Sequence, residues 1–258
     1  MLRHHVIIGR MPSTIVLLPG LFAGKWIWKE QIPFLTNMGH TIITFSDAFI
    51  KSTKKPVSTD DICNWCEDIV LANAPGSVVV VGNSIGGLIA VMLANRHRNK
   101  VVGVVASGIP GLSGEINLGL GTKDMVSREF AHKIANKVFF DQKQVVTSEI
   151  DLIFEEVRSE HSLLQMTRIL RLSRRVDVEA LMRELKQRTL LIWGREDLVT
   201  PAGPWGSLAA NRPGIEYREI ADSGHCPMVE RAAEFNELTG SFIRSVYIEA
   251  EKANVDYR

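Results

Sequence analysis

Cysteine is scarce in this chain. Three thiols, Cys63, Cys66 and Cys226, in 258 residues are too few and too unevenly placed for a disulfide framework. Cys63 and Cys66 form a C-x-x-C, but it lies in a stretch of amphipathic helical character with no second ligand pair nearby. It reads as two residues on one helix face rather than a zinc or redox site. One-sided charge is missing as well: 30 Lys and Arg against 29 Asp and Glu leave a formal net charge of +1, which gives no long-range pull towards nucleic acid or an anionic membrane. No run of about eighteen apolar residues occurs, and Met1 to Arg10 lack the apolar stretch of a secretory signal. No G-x-x-x-x-G-K-[ST] and no metal-ligand spacing appears. These absences predict a soluble, cytoplasmic protein that needs no cofactor or metal. Nucleic acid and membrane are not the expected partners, a small-molecule substrate has to be argued from a site, and the expected state is a monomer or a homodimer.

What is present is a regular alternation. With 45% hydrophobic and 23% charged residues, the chain can build one large core. Short β-branched and leucine-rich runs at Ser13 to Gly20, Thr41 to Phe45, Ser77 to Val81, Lys100 to Ser107 and Thr189 to Trp193 read as strands buried on both faces, and Ile215 to Ile220 as a further strand. Helical stretches are expected at Trp26 to Leu35, from a cap at Ser58 to about Ala74, from Gly87 to about His97, and from Pro227 to Ala250. Ser46-Asp47 closes the second strand and Lys51 to Pro56 is polar connection. The fold class is therefore α/β, with a mainly parallel central sheet, right-handed crossovers and helices on both faces.

In an open parallel sheet, reactive groups collect beyond the carboxyl ends of the strands. Gly82-Asn83-Ser84-Ile85-Gly86 follows the strongest strand signal and opens a helix. This G-x-S-x-G presents a serine hydroxyl at a sharp turn and beside the free N–H groups of a helix start. The pentapeptide alone is a weak signal; its setting between strand and helix makes it specific. A serine needs a base to take its proton. Of seven histidines, His4 and His5 precede the expected fold, and His40, His97, His132 and His161 fall away from the strand tips. His225, in the loop after the last strand, remains. A carboxylate must then fix the imidazole tautomer. Asp197 follows the penultimate strand, with Glu196 and Asp222 as rivals, and the chain order Ser, Asp, His matches the architecture in which G-x-S-x-G is found.

LLPGLFAG (Leu17 to Gly24), VVVVGNSIGG (Val78 to Gly87), LLIWGREDLVTP (Leu190 to Pro201) and ADSGHCPMVERAAEFN (Ala221 to Asn236) together resemble the α/β-hydrolase superfamily over nearly the whole chain. That resemblance implies Ser84 as nucleophile, Asp197 as acid, His225 as base, and the backbone N–H groups of Leu21 and Ile85 as oxyanion donors. Pro19 stands where the superfamily usually has histidine. The resemblance also implies a core of residues 1–110 and 187–258 with a helical lid, 111–186, inserted before the penultimate strand. In that insert Leu163, Leu164, Met166, Ile169, Leu170 and Leu172 are candidates to line a pocket, against the simpler reading of packing between lid and core. Arg168, Arg171, Arg174 and Arg175 are either an anion site or a solvated helix face. One of Trp26 and Trp28 is expected in the core and the other at the pocket wall.

The expected activity is hydrolysis of a carboxylic ester or thioester through an acyl-enzyme on Ser84. The G-N-S-x-G-G form is also similar to the hydrolases that cleave carbon–carbon bonds in ring-fission products. Lyase, cyclase or acyltransferase chemistry on the same triad, and a non-catalytic ligand-binding protein on this scaffold, are the alternatives.

Overall fold

Val78 to Val81 place four β-branched side chains in succession, and all four are buried, as a strand covered by helices on both faces requires. In the computed structural model, which describes residues 4–7, 13–45, 57–112, 127–141 and 147–255, this strand lies at the centre of a seven-stranded sheet. The strands are β1 (His4–Ile7), β2 (Thr14–Leu18), β3 (Thr41–Phe45), β4 (Val78–Asn83), β5 (Val101–Ser107), β6 (Arg188–Gly194) and β7 (Ile215–Ile220), in the order β1-β3-β2-β4-β5-β6-β7. All neighbours pair in parallel except β1, which runs antiparallel to β3. His4 and His5 thus belong to the sheet edge rather than preceding the fold. Their polar, part-exposed pattern hides them from a search for buried strands.

The helices are α1 (Gln31–Asn37), α2 (Thr59–Asn73), α3 (Ile85–Arg96), α4 (Arg128–Val138), α5 (Thr147–Val157), α6 (Glu160–Ser173), α7 (Val178–Glu184), α8 (Ala202–Ala210), α9 (Pro227–Glu230) and α10 (Ala232–Val255). The expected helix from Trp26 to Leu35 is in fact a 3₁₀ turn, Lys25–Trp28, followed by α1. Pro33 is the reason: it has no N–H for the Lys29 carbonyl, so an α-helix cannot run through, whereas the first turn of a new helix tolerates it. The final helix is likewise broken at Arg231, whose angles (φ −131°, ψ 51°) leave the helical region. The cap at Ser58 is a reciprocal capping box with Asp61. Ser46-Asp47 and Lys51 to Pro56 lie outside the described residues.

Cys63 and Cys66 both sit on the buried side of α2 as free thiols, in keeping with one helix face. Burial pushes both well up from the ordinary thiol range, so neither is a reactive thiolate. No helix among the described residues is long and apolar enough to cross a membrane. Between β5 and β6 stand α4 to α7, the helices of the insert, with residues 113–126 and 142–146 of that insert outside the described set.

Candidate active site

The glycines around Ser84 are required by backbone contact. A Cβ on Gly86 would lie 2.6 Å from the Pro19 carbonyl oxygen and closer still to that of Leu18, and one on Gly82 would lie 2.6 Å from the Gly87 nitrogen. Helix α3 can therefore start directly against the end of β2. The turn forces Ser84 to φ 56°, ψ −122°, a region that a residue with a Cβ enters at a cost of about 1–3 kcal/mol. Its N–H donates to the Ser107 carbonyl at the tip of β5 (2.8 Å) and its own carbonyl accepts from Leu88, which hold the strained turn. The side chain is left partly exposed at the carboxyl end of the sheet.

His225 Nδ1 is 2.8 Å from Asp197 Oδ2. With a carboxylate there, the ring proton sits on Nδ1 and Nε2 is free to accept. Asp197 Oδ1 accepts from the N–H groups of Val199 (2.8 Å) and Thr200 (2.9 Å), and Oδ2 from the Thr200 hydroxyl (2.8 Å). Burial works to raise the Asp197 carboxyl, but the charge and hydrogen bond of His225 and the Thr200 donors outweigh it and hold the group below the usual carboxylate range. The rivals have other partners: Glu196 accepts from the Ser223 N–H, and Asp222 is an exposed acid paired with Arg231. Among the remaining histidines, His40 is buried against Ser13, His97 pairs with Glu67, and His132 and His161 are exposed.

The main chain of His225 is fixed as firmly as its ring. Its N–H donates to the Val138 carbonyl at the end of α4 (2.7 Å), and its carbonyl accepts from Asn83 Nδ2 (3.0 Å). Gly108, at φ +63°, lies close against the imidazole; a Cβ there would fall 2.8 Å from Nδ1. Glu230 fastens the same loop from below. Its Oε2 accepts from the Gly224 N–H (2.7 Å) and its Oε1 from the Phe140 N–H (2.6 Å), so one carboxylate ties the histidine loop to the insert. Burial pushes that carboxyl up from its ordinary value despite these donors. Removing it leaves N–H groups without acceptors, at about 1–3 kcal/mol. Glu230→Ala is therefore expected to lose that much in urea unfolding, with a fall in turnover of about tenfold as the loop loosens. An unchanged unfolding midpoint would show that the tie carries no weight.

Ser84 and His225 face one cavity of about 570 Å³, part of it open to solvent. Gly20, Leu21, Phe22, Ala23 and Trp26 line it from the first loop, Ile134, Val138, Phe139, Ile153 and Leu170 from the insert, and Val199 and Cys226 from the loops after β6 and β7. Leu21 therefore reaches the cavity, and a Cβ on Gly20 would stand 3.3 Å from Ser84 Cβ. Ile85 is the first residue of α3, where an N–H has no intrahelical acceptor. Trp26 walls the cavity while Trp28 is fully buried in the core. Leu170 is the member of the insert's apolar stripe that lines it; Leu163, Met166 and Ile169 pack inside, and Leu164 is 71% exposed. The four arginines lie on the exposed face of the segment from α6 to α7. Cys226 is a second potential nucleophile, but burial raises its thiol far above the ordinary range.

Sequence reasoning missed Thr200, Gly108 and Glu230. Asp197-x-x-Thr200 carried a signal for the first, since an aspartate commonly accepts from backbone and hydroxyl donors two and three residues on. Glu230 carried none, because its partners are main-chain N–H groups distant in sequence.

The profile of the alpha/beta hydrolase family matches residues 15–238. The chain is 30% identical over 172 residues to 2-hydroxymuconate semialdehyde hydrolase of Pseudomonas sp. (strain CF600), a match covering 64% of this chain and 61% of that protein. The chain thus spans about three fifths of that relative's length. Among solved structures it resembles a meta-cleavage product hydrolase from Pseudomonas fluorescens IP01 (TM-score 0.79, 19% identity, 94% of this chain and 93% of the other). It also resembles a thermophilic esterase from Thermogutta terrifontis (TM-score 0.76, 19% identity, 95% and 93%).

Proposed function

Because the chain belongs to the alpha/beta hydrolase family and is an enzyme of that type, we propose that it is a serine hydrolase that cleaves a carboxylic ester or thioester with an apolar acyl group. The observation that carries this reading is that Ser84 and the Asp197-bonded His225 face the same cavity, whose described walls are mostly apolar. In this mechanism Ser84 Oγ attacks the carbonyl carbon while its proton passes to His225 Nε2. The imidazolium formed is stabilised by Asp197. The Leu21 and Ile85 N–H groups receive the oxyanion, a contribution worth about 10²–10³ in rate per donor. Collapse expels the alcohol or thiol, which takes the proton from His225, and leaves an acyl-Ser84 ester. Water then attacks that ester, giving its proton to His225, and the carboxylic acid and free Ser84 are released. The helices of the insert act as a cap, residues 111–186, that walls the acyl group from water.

A second reading is favoured by the names of the relatives: carbon–carbon bond hydrolysis of a ring-fission product, on the same residues. Two assays separate the readings. A fluorophosphonate probe is expected to label one residue, Ser84, as located by mass spectrometry, and p-nitrophenyl esters are expected to turn over faster than 2-hydroxymuconate semialdehyde. Labelling with the reverse preference replaces ester by carbon–carbon cleavage. Folded protein that neither labels nor turns over either substrate removes both.

A further inference from the structure

Trp26 stands between two hollows. On one side it walls the cavity that holds Ser84 and His225. On the other it lines an open groove with Ile32, Pro33, Leu152, the buried Glu156, and Lys25 and Lys29. Helix α5 borders both: Ile153 faces the cavity and its neighbour Leu152 faces the groove. Trp26 is thus shared by the two hollows at this point. Its Nε1 is buried with no hydrogen-bond partner among the described residues, so the ring is kept in place by packing rather than by a polar anchor, and shortening the side chain orphans no acceptor.

We propose that Trp26 sets the upper limit on acyl-chain length, and that the groove of Ile32, Pro33 and Leu152 is the path a longer straight acyl chain takes once the indole is removed. The substrate class of the protein as it stands is then a short or compact acyl group, ending against the indole. A chain of ten carbons passes the partition in a variant and exchanges water for the Ile32, Pro33 and Leu152 part of the groove wall, a gain that grows with each methylene buried. The turnover part of this inference rests on the ester-hydrolase reading; the partition itself rests only on the two hollows.

The test compares Trp26→Ala with wild type on p-nitrophenyl butyrate and p-nitrophenyl decanoate. The ratio of kcat/KM for decanoate over butyrate is expected to rise at least tenfold, and to fall back towards wild type in Trp26→Ala/Leu152→Trp, which refills the groove. Should Trp26→Ala not fold, Trp26→Leu takes its place with a smaller rise. Calorimetry makes the result independent of chemistry: decanoate is expected to bind Trp26→Ala/Ser84→Ala at least tenfold more tightly than Ser84→Ala alone, with butyrate affinity changing much less. A folded variant with both ratios within twofold of the parent overturns the proposal. Tighter decanoate binding in a protein that shows no ester turnover and no Ser84 labelling upholds the partition and overturns the hydrolase reading instead.

Discussion

Ser84→Ala is expected to lower kcat for a p-nitrophenyl ester by about 10⁶-fold, and Asp197→Asn by about 10⁴-fold, with little loss of fold in the first. The inequality is as informative as the sizes. In the proposed mechanism alanine removes the atom that becomes acylated, so no covalent path remains. Asparagine keeps the shape but offers one carbonyl oxygen and one NH₂ to a site in which both carboxylate oxygens accept. Val199 and Thr200 donate from the main chain, the Thr200 hydroxyl donates to Oδ2, and the imidazole stands at that same oxygen. An amide that satisfies the two main-chain donors turns its NH₂ towards His225 Nδ1. This drives the ring proton to Nε2, where an acceptor is needed. Because the Asp197 carboxyl is held below the usual carboxylate range, it stays ionised through mild acidification, and any loss of rate measured there is expected not to arise from it. Single-turnover kinetics with active-site titration measure both variants. More than a hundredth of wild-type rate in carefully purified Ser84→Ala would remove Ser84 from the chemistry.

Gly86→Ala is expected to yield no stably folded protein. Most glycine replacements in a helix are mild, and in α3 an alanine would ordinarily favour the helix. Here the new methyl falls on the main chain where β2 ends, 2.6 Å from the Leu18 carbonyl carbon and from the Pro19 oxygen. Neither side can move cheaply. Strand β2 is paired on both edges, with β3 and β4, and α3 is buried along its length. The loss exceeds about 4 kcal/mol, a large part of the stability of a typical domain. Circular dichroism and thermal unfolding of whatever is recovered provide the check. A midpoint within a few degrees of wild type would mean that β2 and α3 are not locked as described.

The inward-facing parts of the fold were legible because their signal is local. The five double-buried strands and the last strand were all identifiable within one or two residues, since each is a short apolar or β-branched run ended by a turn signal. Strand β1 was not, because its only support is edge pairing with β3 and its residues are half-exposed. The run from Trp26 to Leu35 looked helical by composition, and one residue, Pro33, divides it. For the site, the placement of Ser84, Asp197 and His225 after three different strands could be read because a parallel sheet brings those ends together. What could not be read is the set of main-chain contacts that hold His225 and its loop. The Val138 carbonyl beneath His225, the N–H groups held by Glu230 and the close contact of Gly108 with the imidazole are independent of side-chain identity at one partner. A sequence of side chains gives them no letter.

The hydrogen bond from the His225 main chain to the carbonyl of Val138 bears on how such an enzyme can be rebuilt. Exchanging the insert for that of a relative is an attractive way to change substrate range, with the sheet retained as a constant chassis. In this molecule the last turn of α4 is also the floor on which His225 rests, and Phe140 shares the Glu230 clamp with the histidine loop. A transplant that replaces Val138, or that shifts the chain there by one residue, takes away the seat of His225 along with the old specificity. Grafts are best joined outside residues 138–140, so that the recipient keeps its own support for His225 and receives only new cavity wall.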